Sequence, residues 1–158
     1  MKDEYGSKDL IQILNRKRFT IGSCESFTAG LFCARLADVS GASLVLKGGL
    51  VTYATELKNK IVGIDKEKLE RYGVVSKECA IEMAKKTQKI MNVDVCVSFT
   101  GNAGPTAWEN KPAGLIYCGL AIEENIYVYE LQLNMSRNDV REYAVQFMIN
   151  KIVNLLMK

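Results

Sequence analysis

The sequence predicts an α/β protein with a mixed sheet covered by helices on both faces. Three observations carry that reading. Short β-branched runs alternate with segments of helical period, which places parallel strands beside crossover helices. Two late apolar runs flank a short polar turn, which adds an antiparallel hairpin to the sheet. The chain has 158 residues, 48% apolar and 25% charged, enough for one good core, so a single domain over 1–158 is expected.

Taken in order, Ser7 to Arg18 opens on a candidate N-cap and carries Leu10, Ile11, Ile13 and Leu14 on one broad face, a first helix. Phe19-Thr20-Ile21-Gly22 reads as a short buried strand. The turn Glu25-Ser26-Phe27-Thr28-Ala29-Gly30 leads into a second helix from about Phe27 to Ala37. Gly48-Gly49 interrupts an apolar run, the mark of a bulge or of a close approach, and a strand is expected over 48–53 with Tyr53 at its end. Glu56 to Val62 is a short helix closed by Gly63. Residues 65–72 form a polar helical turn or two with Gly73 past the end.

Ser76 is a candidate cap for a long helix whose core face is Ala80, Met83, Ala84, Thr87, Ile90 and Met91. Val93 to Thr100 is a strand that empties into Gly101-Asn102-Ala103-Gly104-Pro105. Strands over 115–122 and 126–133 are joined at Glu123-Glu124-Asn125. Ser136 caps a last helix with Val140, Ala144, Phe147, Met148, Ile152 and Leu155 turned inward.

Composition removes whole classes of function. A net charge of +3 with bases scattered among acids leaves no electrostatic footprint for nucleic acid. No run approaches the ~18 apolar residues of a membrane span. The opening Met1-Lys2-Asp3-Glu4 has no apolar leader, so a cytoplasmic location is expected. Five cysteines without a Cys-x-x-Cys pair argue against a disulfide framework and against a metal site. Cys24, two residues before Ser26, is the one with a reactive-thiol reading; the others lie in apolar or periodic runs. The count of histidines is zero, which rules out Ser-His-Asp and Cys-His pairs supplied by this chain. A nucleophilic hydroxyl must then be armed by a lysine, a tyrosinate or a carboxylate.

Three strand ends run into polar or glycine-rich turns: Glu25–Gly30, Tyr53–Lys58 and Thr100–Pro105. In open α/β sheets, sites form outside the carboxyl ends of strands, so these turns are placed to share one crevice. Ser26 and Thr28 fall at or near a helix N-terminus, where a hydroxyl caps the helix, holds an anion or acts as a nucleophile. Tyr53 reads as an edge aromatic and Lys58 as a solvated lysine, unless both face Ser26 and complete a Ser/Lys/Tyr site.

Glu-Ser-Phe-Thr-Ala-Gly, Gly-Gly-Leu-Val-Thr-Tyr-Ala-Thr-Glu-Leu-Lys, Gly-Val-Val-Ser, Thr-Gly-Asn-Ala-Gly-Pro and Lys-Pro-Ala-Gly follow one another in that order. Together they make the chain resemble the CinA C-terminal domain family in its stand-alone form, from about residue 7 to the end. Active members of that family are nicotinamide mononucleotide deamidases. The resemblance implies a three-layer α/β/α fold, hydrolysis of nicotinamide mononucleotide to nicotinate mononucleotide and ammonia, and neither metal nor cofactor. It implies Ser26 as nucleophile with Tyr53 and Lys58 completing the catalytic group. Thr100 and an arginine near the last helix also belong to the implied site; Arg137 aligns best and Arg141 is the alternative. For the substrate's phosphate, the two arginines and the Gly101–Gly104 turn are candidates, with Thr28 and Gly30 of the first turn also assigned to substrate binding.

The chain departs from the family pattern at several points. Phe27 stands where cysteine is usual, Asn102 where isoleucine is usual, and Thr106-Ala107-Trp108 replaces glycines. Met135-Ser136-Arg137 replaces Gly-Asp-Arg. The altered loop keeps a second reading open, a catalytically silent nucleotide-binding or interaction module. A dehydrogenase-like reading of Ser, Tyr and Lys fails because residues 19–30 lack a glycine-rich dinucleotide turn. A homo-oligomer with sites completed across its interface stays open.

Overall fold

The computed structural model describes residues 4–158. Its strands are β1 (Ile21–Glu25), β2 (Leu46–Val51), β3 (Val95–Gly101), β4 (Leu115–Ile122) and β5 (Asn125–Gln132). Its helices are α1 (Ser7–Lys17), α2 (Leu31–Ala37), α3 (Thr55–Lys60), α4 (Lys66–Tyr72), α5 (Lys77–Met91) and α6 (Arg137–Leu156), with a 3-10 turn at Ala42–Leu44. The sheet order is β2-β1-β3-β4-β5. β1 pairs in parallel with β2 and β3, whereas β3–β4 and β4–β5 are antiparallel. The expected mixed α/β sheet is therefore present.

Alternation along the strands divides the interior into two layers. Ile21 of β1 and Val95, Val97 and Phe99 of β3 pack with Leu10, Leu14, Phe32, Leu36, Met148 and Ile152 of α1, α2 and α6. On the opposite face, Cys24 of β1 packs with Met83 and Cys79 of α5 and with Val62 and Ile64. Helices on both faces leave the carboxyl ends of β1, β2 and β3 as the open rim. The chain passes from β1 to β2 on one side and then crosses back from β2 to β3 on the other side of β1, so the strand order reverses at β1. A crevice is expected at that point.

Several boundaries differ from expectation, each for a local reason. The first strand covers Ile21–Glu25 rather than 19–22, because Arg18 ends α1 in the left-handed conformation (φ 58°) and Phe19 is drawn back by a bond from its N–H to the Leu14 carbonyl. α1 is preceded by Gly6 as N-cap, with Ser7 as its first helical residue. The second helix starts at Leu31, not Phe27, since Ala29 (φ 49°) and Gly30 (φ 95°) are both left-handed. β2 ends at Val51, two residues before Tyr53. Ile90 lies on the solvent side of α5 and is 53% exposed, whereas Ala80, Met83, Ala84 and Thr87 are buried. Of the two readings of Gly48-Gly49 the bulge holds, and what crowds Gly49 is a side chain rather than a backbone or a ligand. The β1–β2 register shifts beside Gly48, and a Cβ on Gly49 would lie 2.6 Å from Cys33 Sγ.

Ser76 and Ser136 cap α5 and α6 as expected, accepting from the N–H groups of Cys79 (3.1 Å) and Asp139 (3.3 Å). Among the described residues, no helix is long and apolar enough to cross a membrane.

Candidate functional site

Glu25 closes β1 fully buried, its carboxylate seated on the start of α2. Oε1 accepts from the Phe32 N–H at 3.0 Å, and Oε2 accepts from the Cys33 N–H at 3.3 Å and from the Ser23 hydroxyl at 2.8 Å. This bracket fixes the turn that follows. Ser26 is the first residue of the turn, and its N–H donates to the Phe99 carbonyl of β3 at 2.9 Å. Ser26 thus caps no helix: the N-cap position of α2 belongs to Gly30, with no side-chain bond there. The hydroxyl of Thr28 is buried without a hydrogen-bond partner among the described residues. The turn's remaining donors are unevenly used. Ala29 N–H donates to the Ser26 carbonyl and Leu31 N–H to the Thr28 carbonyl. The N–H groups of Phe27 and Thr28 have no acceptor among the described residues.

Lys58 comes from the first turns of α3, where Ala54 precedes the helix in extended conformation. The side chain runs inward and is 1% exposed, an unusual position for a lysine. Its Nζ donates to the Thr52 carbonyl at 2.5 Å and to Ser26 Oγ at 3.2 Å. Burial pushes its pKa below the ordinary 10.5; opposing this are Cys79, Cys24, Glu109 and Glu56, which would hold the charge in place if ionised. Cys79 is itself pushed up to about 12 by burial, and Cys24 is raised by the same cause. Both remain neutral thiols near pH 7 and return no charge to the amine. Cys24 is itself fully buried in the α5-side core and lies off the wall of the cavity that Ser26 and Lys58 face, where no substrate reaches it.

Ser26 and Lys58 open onto a cavity of about 410 Å³, within the range of small-ligand sites. Tyr53, Thr100, Gly101, Asn102, Ala103, Trp108 and Arg137 line it as well. The three strand-end turns therefore do share one crevice. Tyr53, 58% exposed at the mouth, points its phenol elsewhere than at the lysine: Arg137 Nη2 donates to its Oη at 2.8 Å. Arg137 Nη1 donates to the Gly104 carbonyl at 2.7 Å. Two of the five guanidinium N–H donors are so engaged, and three remain for a ligand. Thr100 Oγ1 donates to the Val74 carbonyl at 2.7 Å and shapes the floor.

Four expected substrate contacts lie off the cavity wall: Thr28, Gly30, Gly104 and Arg141. Arg141 donates through Nε to the Phe27 carbonyl (2.9 Å) and through Nη2 to the Thr28 carbonyl (3.1 Å). It clamps the turn after Ser26 instead of facing a phosphate. Gly104 contributes its carbonyl to Arg137, and Gly30 supplies the left-handed turn into α2.

Sequence reasoning gave Asn102, Glu109 and Lys111 no part in holding the altered loop, which they pin. Asn102 Nδ2 donates to the carbonyls of Trp108 and Lys111, each at 3.1 Å. The Glu109 carboxylate accepts from the N–H groups of Val74 and Val75, each at 2.9 Å. Lys111 Nζ donates to the Val75 carbonyl. Glu109 (φ 61°) and Asn110 (φ 56°) are both left-handed, a conformation costing about 1–3 kcal/mol per ordinary residue and held here by those bonds.

The sequence model of the CinA C-terminal domain matches residues 4–156. The chain belongs to that family. It is 40% identical over 149 residues to a Bacillus subtilis protein named as competence-damage inducible, covering 94% of this chain and 36% of the relative. A like-named protein of Thermoanaerobacter pseudethanolicus is 43% identical over 137 residues, 86% of this chain and 33% of its own. The chain thus spans about a third of the length of the curated relatives it matches. The crystal structure of a competence or damage-inducible protein from Enterobacter asburiae has the same CinA fold, with a TM-score of 0.92 at 26% identity over 95% of both chains. A CinA superfamily protein from Escherichia coli gives 0.92 at 27% identity, covering 94% of this chain and 87% of its own.

Proposed function

We propose that this CinA domain is an amidohydrolase that acts on the carboxamide of a nicotinamide nucleotide, with Ser26 as nucleophile and Lys58 as its base. The observation that carries the reading is the buried Lys58 amine, 3.2 Å from the Ser26 hydroxyl in a chain without histidine. Loss of a proton turns the amine from donor to acceptor, and the serine O–H then donates to its lone pair.

Ser26 Oγ attacks the amide carbon while its proton passes to Lys58. Oxyanion charge develops beside the turn, where the Phe27 and Thr28 N–H groups are the available donors; one such donor is worth about 3 kcal/mol in transition-state stabilisation. Lys58 returns the proton to the leaving nitrogen, ammonia departs, and the ester on Ser26 is hydrolysed by water with the lysine again as base. We assign the nucleotide phosphate to Arg137, which keeps three N–H groups unspent. Tyr53 holds that arginine, so we assign it to substrate positioning rather than to proton relay.

The test is ammonia release from nicotinamide mononucleotide by purified protein, with Ser26→Ala alongside. Ammonia at the expected stoichiometry, lost in Ser26→Ala, supports the reading. Full turnover by Ser26→Ala would end the acyl-enzyme scheme. The rebuilt loop around Trp108 favours one rival, a binding module without turnover, and binding with no ammonia would establish it.

A further inference from the structure

The indole of Trp108 lines the same cavity as Ser26 and Lys58 yet is 67% exposed. A large aromatic left that far in water has no packing role in the free protein. Its backbone, by contrast, is tightly held. The Trp108 carbonyl accepts from Asn102 Nδ2 at 3.1 Å and from the Lys111 N–H at 3.2 Å. The next residue, Glu109, is strapped to Val74 and Val75. An exposed indole carried on a held backbone at the cavity is available to receive another flat surface.

We propose that Trp108 is a specificity-determining platform that stacks on the heteroaromatic ring of the substrate. This rests on the amidohydrolase reading above and adds to it the group that selects a planar heteroaromatic ring. The anion faces Arg137, which lines the same cavity, while the ring stands between Trp108 and the Ser26 hydroxyl. Aliphatic amides of equal size gain nothing from the platform.

Trp108 is the one tryptophan in the chain, so intrinsic fluorescence reports on it alone. The full chain carrying Ser26→Ala is titrated with nicotinamide mononucleotide and, as a ringless control, ribose 5-phosphate. Saturable quenching by the nucleotide and none by the control is expected. Calorimetry should show Trp108→Ala binding the nucleotide roughly tenfold more weakly, with Trp108→Phe recovering most of the loss. Quenching that stays linear without saturation, absence of binding, or equal affinity in Trp108→Ala overturns the proposal. Ammonia release separates it from the parent reading. Saturable quenching with no ammonia from the unsubstituted protein removes the amidase and keeps the platform. Ammonia release at unchanged KM in Trp108→Ala removes the platform and keeps the amidase.

Discussion

Lys58 Nζ and Ser26 Oγ stand 3.2 Å apart, and the amine's other contact, at 2.5 Å, is the Thr52 carbonyl. A carbonyl only accepts, so it orients one N–H and leaves the lone pair of a neutral Lys58 for the serine proton. Arginine cannot take this role, because its guanidinium stays protonated. Lys58→Arg should therefore lower kcat by about 10²–10⁴-fold, the ordinary worth of a general base, with a native circular dichroism spectrum. Retention of a tenth of the activity would remove Lys58 as base.

The same assignment sets the pH profile. If neutral Lys58 is the active form, kcat/KM rises with pH and levels off above the lysine pKa, which burial holds below 10.5. The inflection should vanish with the residual activity of Lys58→Arg. A rate that falls across that limb would show that the protonated amine is the working form.

Stability should move with pH in the same sense as activity. A lysine whose folded pKa is depressed binds fewer protons folded than unfolded between the two values. Stability therefore rises with pH across that window, and the penalty is fully present below the folded pKa. Lys58→Met removes the buried amine and should stabilise the fold near pH 7, read as a rise in Tm. That advantage should shrink as pH approaches 10.5. Thermal melts of both proteins across pH decide it, and an advantage that grows with pH would contradict the sign.

Tyr53 separates relay from positioning. Its Oη accepts from Arg137, and no hydrogen bond joins it to Lys58 or Ser26 among the described residues. Tyr53→Phe should raise KM for a phosphate-bearing substrate about 3–10-fold, the worth of roughly one exposed charge-assisted hydrogen bond, and leave kcat within about threefold. A kcat loss above about 100-fold with unchanged KM would restore the relay.

Much of this arrangement was legible because it is local. Period and turn residues located every helix and strand, and the three strand ends carrying Ser26, Lys58 and Thr100 marked the crevice. What escaped was non-local. Placing the first strand at 19–22 hid Glu25, whose burial follows from sharing a sheet face with Ser23 and from the N–H groups of α2. Arg141 and Arg137, four residues apart on α6, look equivalent in sequence, yet one clamps the Phe27 and Thr28 carbonyls and the other lines the cavity. The loop strap joins Glu109 and Lys111 to a segment more than 30 residues earlier, and no periodicity encodes that.

Gly73 tests the strap from its far side. Its φ of +77° favours glycine, and a Cβ there would meet Glu109 Oε1 at 2.5 Å. Gly73→Ala must therefore both strain the backbone and push the Glu109 carboxylate off the Val74 and Val75 N–H groups. We expect a loss of about 2 kcal/mol, roughly 4–8 °C in Tm, from the left-handed strain and the broken bonds together. Because the loop carries Trp108, its fluorescence anisotropy should fall in the same variant, and KM should rise more than kcat falls. Glu109→Gln provides the control. Its Oε1 still accepts one of the two N–H groups, so the loop should loosen less than in Gly73→Ala. A Gly73→Ala protein with unchanged Tm and anisotropy would mean that Glu109 relocates freely and that the strap does not hold the platform.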